Sequence, residues 1–208
     1  MEQEGVLKQT VKDFSKQTDI IQTIVLFLIA FLVPTFLGQL LTLIFGAESI
    51  IASNSQLIIG SIVNTALVLT ATNLKGFWKI AGIVTMPSIS AVLGGYVFHT
   101  ASVFAVYMIP AIWIGNFALV YAYKFIMLAK KQNYFLAGLV GVIAKVAIIF
   151  GGFNLLKVIG GFSGAPEKVV NMFQTSMGIT QAITATIGVF LAFGIMKLIT
   201  VEKNKISN

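Results

Sequence analysis

The sequence predicts an all-α integral membrane protein: a bundle of six transmembrane helices, preceded by a short amphipathic helix. Of its 208 residues, 57% are hydrophobic and only 10% are charged, whereas soluble domains carry about 25% charged residues. Apolar runs recur along the chain, each near the ~20 residues that a helix needs to cross ~30 Å of hydrocarbon. The lysines alternate with these runs in a pattern that requires an even number of spans.

The six predicted spans leave no room for a separate soluble domain. The more polar residues 96–102 divide the third span from the fourth, because the apolar stretch 80–128 is too long for one helix. The spans form one membrane domain over residues 20–199, followed by a short cytoplasmic tail, 200–208. Outer connections are predicted at residues 46–55 and 160–176. The predicted spans are residues 20–45, 56–72, 77–98, 103–128, 134–159 and 177–199.

Residues 1–19 are predicted to form a cytoplasmic amphipathic segment that lies on the membrane surface. Leu7, Val11 and Phe14 fall at positions i, i+4 and i+7 on one face of a helix, and lysines occupy the other faces. The alternative interpretation is a solvated, frayed tail.

The lysines, which supply all fourteen basic residues, predict the orientation of the bundle. Eleven of them fall in the N-terminal segment, the second-to-third and fourth-to-fifth connections and the C-terminal end. The three opposite connections hold only Lys157 and Lys168. Since lysine accumulates on the cytoplasmic side, both termini are predicted to be cytoplasmic, in a bacterial cell membrane. This distribution accounts for the net charge of +7 without a nucleic-acid partner.

Lys145 is the one lysine inside a predicted span, near the middle of the fifth. A lysine at this depth costs at least ~2.5 kcal/mol to insert, so an intramembrane lysine is a candidate functional residue. No acidic residue lies near the middle of any predicted span to pair with it. Two interpretations remain open. Lys145 binds an anionic ligand or faces a watered cavity, or it lies nearer the cytoplasmic face and caps carbonyl groups of a neighbouring helix.

Polar and aromatic side chains in the middle and outer parts of the spans are further candidates for a binding site. A small-molecule site combines an apolar, aromatic wall with a few convergent polar groups. Buried amides and threonines also serve as hydrogen bonds between helices, and that alternative stays open for each of them. The candidates are Gln39, Asn64, Asn116, Asn154, Gln181 and Thr184, with Tyr107, Trp113, Phe117 and Phe150 as the wall.

Catalytic and metal-binding patterns do not occur in the sequence. It has no cysteine and a single histidine, which excludes thiolate chemistry and a histidine-based metal site. The pattern Gly-x-x-x-x-Gly-Lys-Ser/Thr is missing, so any ATP-driven function must use a separate ATPase. The sequence therefore predicts no catalytic residue, no metal, no cofactor and no enzyme activity.

Small residues and prolines mark places where the spans depart from plain apolar helices. Ala30, Pro34 and Gly38 recur every four residues, a spacing that lets helices approach closely, within the chain or against a partner. Pro34, Pro87 and Pro110 each remove a backbone hydrogen bond from a span, and such breaks often line cavities.

Four local stretches carry a family resemblance. They read Ile-Gly-Ser-Ile-Val-Asn at 59–64, Thr-Met-Pro-Ser-Ile-Ser-Ala at 85–91, Met-Ile-Pro-Ala-Ile-Trp-Ile-Gly-Asn at 108–116 and Gly-Val-Ile-Ala-Lys at 141–145. Together with the size, the six spans and the inside termini, they resemble the substrate-binding S components of energy-coupling factor (ECF) vitamin transporters. The resemblance extends over residues 20–198.

This resemblance implies a protein that captures a micronutrient from outside. An ECF coupling transmembrane subunit and two ATPase subunits would then drive release by toppling the binder in the membrane. It also implies a site in the outer halves of the last three helices, covered by the first outer loop. On this interpretation the substrate-binding residues, besides Lys145, are Gln39, Tyr107, Trp113, Asn116, Asn154 and Gln181.

The chain departs from the family at the surface where the coupling subunit docks. Many S components carry Ala-x-x-x-Ala on the first and third helices, and this chain lacks that pattern there. The face formed by Ala30, Pro34 and Gly38 is the candidate replacement.

The leading hypothesis is a membrane-embedded substrate-binding subunit of an ECF-type, ATP-driven importer for a vitamin-like, anionic micronutrient. A stand-alone channel or secondary carrier is the first alternative, although ion-coupled carriers commonly use intramembrane acids, which this sequence lacks. The second alternative is a scaffold subunit that anchors a soluble partner through its lysine-rich inner face.

Overall fold

The computed structural model describes residues 16–46, 48–95 and 102–206, which are almost entirely helical and contain no strand. The predicted amphipathic segment before Lys16 lies outside these residues. Two π-helical segments, Val33–Leu37 and Tyr123–Ala129, interrupt the α-helices. Within the described ranges the α-helices are α1 Lys16–Leu32, α2 Gly38–Phe45, α3 Ile50–Ser53, α4 Ser55–Asn73, α5 Phe77–Gly94, α6 Ser102–Ala122, α7 Tyr134–Val158, α8 Glu167–Met177 and α9 Ile179–Ile206.

Six helical stretches of the described residues are long and apolar enough to cross a membrane, which confirms the predicted number and indicates a multi-pass membrane protein. The predicted division between the third and fourth spans is present too. There α5 ends at Gly94, Gly95 turns the chain with a φ of 69°, and α6 begins at Ser102. The six stretches are Gln17–Phe45, Ser55–Asn73, Phe77–Gly94, Val103–Ala129, Tyr134–Val158 and Glu167–Ile199.

Pro34 explains the π-helical turn that joins α1 and α2 into one span. Proline has no N–H to donate, and its ring clashes with the carbonyl of the preceding turn. The wider π turn Val33–Leu37 accommodates the ring without ending the helix. The first span therefore continues to Phe45, where Gly46 turns the chain with a φ of 83°.

The last outer connection was predicted as a long loop over residues 160–176, and this prediction is wrong in its second half. There α8 follows Pro166 and buries Phe173, Ser176 and Met177 on one face. The glycines and proline before it indicate a loop, but the apolar side chains after Pro166 recur at helical spacing. Gly178 then separates α8 from α9.

Two glycines bring α4 and α9 into close contact. A Cβ at Gly60 would lie 2.9 Å from Thr184 Cγ2, and a Cβ at Gly188 would lie 2.6 Å from Asn64 Cβ. The second contact lies four residues after the first in α4 and four residues after it in α9, so the two helices run in the same direction. This is the direction that alternating spans give to the second and the sixth.

Glycines also set the contact between α6 and α7. A Cβ at Gly115 would lie 2.6 Å from Ile149 Cγ1, and a Cβ at Gly152 would lie 2.5 Å from Ala111 Cβ. From the first contact to the second, the residue number falls in α6 and rises in α7, so the two helices are antiparallel. Small residues thus allow the close approach of helices in both pairs.

Because neighbouring spans alternate in direction, one end of the bundle collects lysines, and we call it the lysine-rich end. Lys124 Nζ donates to the carbonyl oxygens of Ala71 at 2.9 Å and Leu74 at 2.8 Å, and so caps the C-terminus of α4. Lys79 pairs with Asp19 and thereby links α5 to α1. The described lysines of this end are Lys16, Lys75, Lys79, Lys124, Lys130, Lys131, Lys197, Lys203 and Lys205.

The small-residue face of the first span packs inside the bundle. Pro34 and Gly38 are buried, and Ala30 is only 1% exposed. Ser90 Oγ of α5 donates to the Ala30 carbonyl at 3.2 Å. The interpretation as a within-chain packing face therefore holds, and the suggestion that this face replaces the docking motif of S components is wrong.

Candidate functional site

Lys145 lies at the middle of the bundle. It is the twelfth of the 25 residues of α7, which at 1.5 Å per residue places it ~17 Å from one end of the helix and ~20 Å from the other. Its side chain is 2% exposed. The residue is therefore too deep to reach either membrane face, and capping of helix carbonyls is a property of Lys124 instead.

A hydrogen-bond network centred on Asn64 holds the Lys145 ammonium in place. Lys145 Nζ donates to Asn64 Oδ1 at 2.5 Å. The Asn64 amide nitrogen donates to the carbonyl oxygen of Gly60 at 2.8 Å and to Thr184 Oγ1 at 3.2 Å. Thr184 Oγ1 in turn donates to the carbonyl oxygen of Thr180 at 2.8 Å. This network connects α4, α7 and α9 at one depth.

The Lys145 ammonium has no carboxylate beside it among the described residues. The sequence contains no Asp or Glu between residues 49 and 166. Asp19 pairs with Lys79 at the lysine-rich end, whereas Glu48 precedes α3 and Glu167 begins α8 at the opposite end. An ammonium donates up to three hydrogen bonds, and the structure gives this one a single acceptor, the neutral amide of Asn64.

A cavity of about 80 Å³ surrounds this network. All six spans line it. Pro34 and Pro87 contribute to its wall, whereas Pro110 is exposed on the outside of the bundle. The polar residues of the lining are Gln56, Asn64, Ser88, Asn116, Lys145, Thr180, Gln181 and Thr184.

The cavity occupies the half of the bundle away from the lysine-rich end. It extends from Lys145 and Asn64 at mid-depth to Gln56 near the start of α4. We call the end of the cavity at Gln56 its upper end. There Ser176 Oγ of α8 donates to Gln56 Oε1 at 2.9 Å. Toward the lysine-rich end a continuous apolar core follows the cavity, with Leu67 and Leu119 fully buried in it. The cavity is therefore one-sided and does not form a pore through the bundle.

Asn116 lies on the α6 side of the cavity and is 2% exposed. Its amide nitrogen donates to the carbonyl oxygen of Val84 at 3.2 Å, across the contact between α6 and α5. Its Oδ1 is buried and has no hydrogen-bond partner within the described part of the chain. A buried unpaired amide oxygen is costly, so this atom calls for a donor.

Three of the sequence-predicted site residues meet in the cavity, namely Lys145, Asn116 and Gln181. Trp113 lies behind the wall. Its Nε1–H is shared between the carbonyl oxygen of Thr85 at 3.0 Å and Ser88 Oγ at 2.7 Å, and it thereby packs α6 on α5. Trp113 was predicted as part of the aromatic wall of the site, and it is absent from the lining of the cavity.

The other three predicted site residues lie away from the cavity. Gln39 and Asn154 are exposed on the outside of the bundle, and Tyr107 is 52% exposed. The Asn154 amide nitrogen donates to the carbonyl oxygen of Phe150, one turn earlier in α7. Their predicted role in substrate binding stays a prediction, and the cavity supplies no contact for it.

The sequence analysis did not select two residues that are central to the network, Asn64 and Thr184, as substrate-binding residues. Both belong to the polar set noted in the spans, and both lie at the depth of Lys145. Gly60 lies four residues before Asn64, and Gly188 lies four residues after Thr184. These small residues are the sequence feature that could have indicated a close contact between the two helices, and hence between the two side chains.

The arrangement is suited to binding a small polar solute. The described residues contain no cluster of His, Cys, Asp or Glu able to hold a metal ion. No protein-family model, curated protein or solved structure matches the chain. The cavity offers a solute an ammonium, several amides and hydroxyls, and apolar walls.

Proposed function

We propose that the chain is the membrane-embedded solute-binding subunit of an ECF-type, ATP-driven importer in the bacterial cytoplasmic membrane. The observation that carries the proposal is the one-sided cavity around Lys145, which is lined by all six spans. Its polar groups lie at mid-depth, and apolar packing closes it toward the lysine-rich end. A cavity of this form holds a solute without conducting it.

The proposed orientation has both termini in the cytoplasm. It rests on the excess of lysine at one end of the bundle, which is typical of the cytoplasmic side of membrane proteins. In this orientation the cavity belongs to the outer half of the bundle, and its upper end at Gln56 faces the exterior. A solute captured from outside then needs no passage through the apolar core.

The proposed solute is a small anion. Lys145 is the reason for proposing a negatively charged solute, because no carboxylate among the described residues neutralises the lysine. The volume of about 80 Å³ supports the small size, since sites for drug-sized ligands measure ~300–1,000 Å³. A vitamin-sized ligand would require the helices around the cavity to move apart.

Energy for import must come from other subunits, because the sequence lacks a nucleotide-binding pattern. The proposal assigns this role to an ECF coupling transmembrane subunit with two ATPase subunits. The coupling subunit would have to dock outside the Ala30–Pro34–Gly38 face, which is buried within the chain.

The test is uptake of radiolabelled small carboxylates into proteoliposomes. The chain reconstituted with a coupling subunit and two ATPases is expected to take up solute only with Mg-ATP, and Lys145→Met is expected to abolish that uptake. Uptake by the chain alone, driven by an ion gradient or by none, would favour a carrier or channel. A chain that takes up nothing but co-purifies with one soluble protein would favour a scaffold.

A further inference from the structure

The Lys145 ammonium is poised to accept a second partner from the cavity. Among the described residues only Asn64 Oδ1 accepts from it, and an ammonium offers three N–H groups. A charged acceptor forms a stronger hydrogen bond with an ammonium than a neutral amide does. An anion entering the cavity is therefore favoured at this atom over the water that fills an empty polar cavity.

The first turn of α9 adds polar side chains to the same cavity. Gly178 separates α8 from α9, and Thr180 and Gln181 of the turn that follows line the cavity together with Lys145. A hydroxyl and an amide are therefore available to a ligand beside the ammonium.

Asn116 requires a hydrogen-bond donor on the ligand, whereas Lys145 requires an acceptor. Its Oδ1 is an acceptor without a donor, on a residue that is 2% exposed and lines the cavity. The amide is not free to swap its nitrogen into this position, because that nitrogen already donates to the Val84 carbonyl. A ligand that pairs with Asn116 therefore has to bring an O–H or N–H group.

We propose that the cavity binds a small carboxylate that also carries a hydroxyl or amide N–H donor. The carboxylate accepts from Lys145 Nζ, and the donor pairs with Asn116 Oδ1. The proposal rests on the proposed function only in taking this cavity as the solute site. A free ammonium is a poorer donor here than a hydroxyl, because Lys145 repels it.

The size of the cavity limits the rest of the ligand. Its volume of about 80 Å³ is small beside the ~300–1,000 Å³ of sites for drug-sized ligands. The carboxylate and the donor group therefore make up most of a solute that fits. Selectivity then comes from the two polar contacts and not from a long apolar tail.

The experiment measures binding to the purified full chain in lipid nanodiscs by isothermal titration calorimetry. The probes are glycolate, which carries a hydroxyl beside its carboxylate, and fluoroacetate, which replaces that hydroxyl with a fluorine that cannot donate. Ethylene glycol serves as the neutral probe and ethanolamine as the cationic one. Glycolate is expected to bind about fivefold more tightly than fluoroacetate, the effect of one neutral hydrogen bond. The neutral and cationic probes are expected not to bind.

Two variants separate the contacts. In Asn116→Leu the ratio between glycolate and fluoroacetate is expected to fall to about one. In Lys145→Met both carboxylates are expected to lose at least tenfold in affinity. Lys157→Met, which removes an exposed lysine from the same helix outside the cavity, is the matched control for Lys145→Met and is expected to keep both the affinity and the ratio. Circular dichroism and a monodisperse gel-filtration peak show whether each variant is folded.

Several results would overturn the assignment. Equal affinity for glycolate and fluoroacetate in the wild-type chain would remove the donor contact without requiring any variant to fold. Binding of the neutral or cationic probe, or carboxylate binding that survives in Lys145→Met, would remove the anion contact. Glycolate binding without energised uptake would overturn the import function and support the ligand assignment. Energised uptake of a cationic solute would support import and overturn the assignment.

Discussion

Replacement of Gly188 by alanine tests the close contact on which the polar network depends. The new Cβ would lie 2.6 Å from Asn64 Cβ and 2.8 Å from both the Asn64 carbonyl carbon and the Thr65 nitrogen. Ordinary contacts between carbon atoms are ~3.5–4.0 Å, so α4 and α9 would have to separate by about 1 Å. Two of the three atoms belong to the backbone, and a change of side-chain rotamer cannot relieve the clash.

The expected cost follows from two opposing effects. Overpacking of a well-packed interior typically destabilises by ~1–3 kcal/mol, and alanine is favoured over glycine in a helix by up to ~1 kcal/mol. We therefore expect Gly188→Ala to lower the free energy of unfolding by about 1–2 kcal/mol. For a chain of this length, 1 kcal/mol corresponds to a shift in Tm of ~2–4 °C.

Gly194→Ala is the matched control, because it changes the same residue type on the same helix. A Cβ at Gly194 would meet no atom within 4 Å, so only the helix preference remains. This control is expected to be neutral or to raise stability by up to ~1 kcal/mol. Thermal unfolding of both variants in the same detergent, monitored by circular dichroism, gives the comparison. If Gly188→Ala proved as stable as Gly194→Ala, the close packing of α4 on α9 would be refuted.

Two further substitutions test hydrogen bonds that join neighbouring helices. Trp113→Phe removes the N–H that serves Thr85 and Ser88; it is expected to cost ~1 kcal/mol in thermal unfolding, and a loss above 3 kcal/mol would show that the ring does more than fasten α6 to α5. Lys124→Met leaves the last carbonyl groups of α4 without their cap and is expected to cost ~1.5–3 kcal/mol. The exposed Lys157→Met is its control and is expected to stay within ~0.5 kcal/mol, so equal effects of the two lysine variants in chemical unfolding would contradict the capping role.

The number of spans was predictable because it depends on local features alone. Length and apolarity define each span, and the lysines mark its ends. Lys145 stood out for the same reason: a lysine within an apolar run is visible without knowledge of any neighbour. The helix α8 was missed because Gly160, Gly164 and Pro166 indicate a loop more strongly than five apolar residues indicate a helix.

The lining of the cavity was only partly predictable, because it depends on how each helix is rotated about its axis. In a membrane both the lipid-facing and the inward-facing side of a helix are apolar, so periodicity does not separate them. Gln39 and Asn154 are polar and lie in the half of the bundle away from the lysine-rich end, yet both are on the outside of the bundle. Asn64 was visible as a mid-span amide, but only the register of α4 against α7 brings it to Lys145.

The contact between Lys145 and Asn64 also has a consequence for how the chain is inserted during synthesis. A lysine at mid-membrane costs ~2.5–3.5 kcal/mol when its helix enters the bilayer alone. Chains emerge N-terminus first, so α4, which carries Asn64, is made 81 residues before Lys145. When α7 arrives, an amide oxygen is already in the membrane to receive its ammonium, while Thr184 and α9 follow later. A circular permutant that begins at α7 reverses this order, and its Lys145 enters the bilayer before its partner exists.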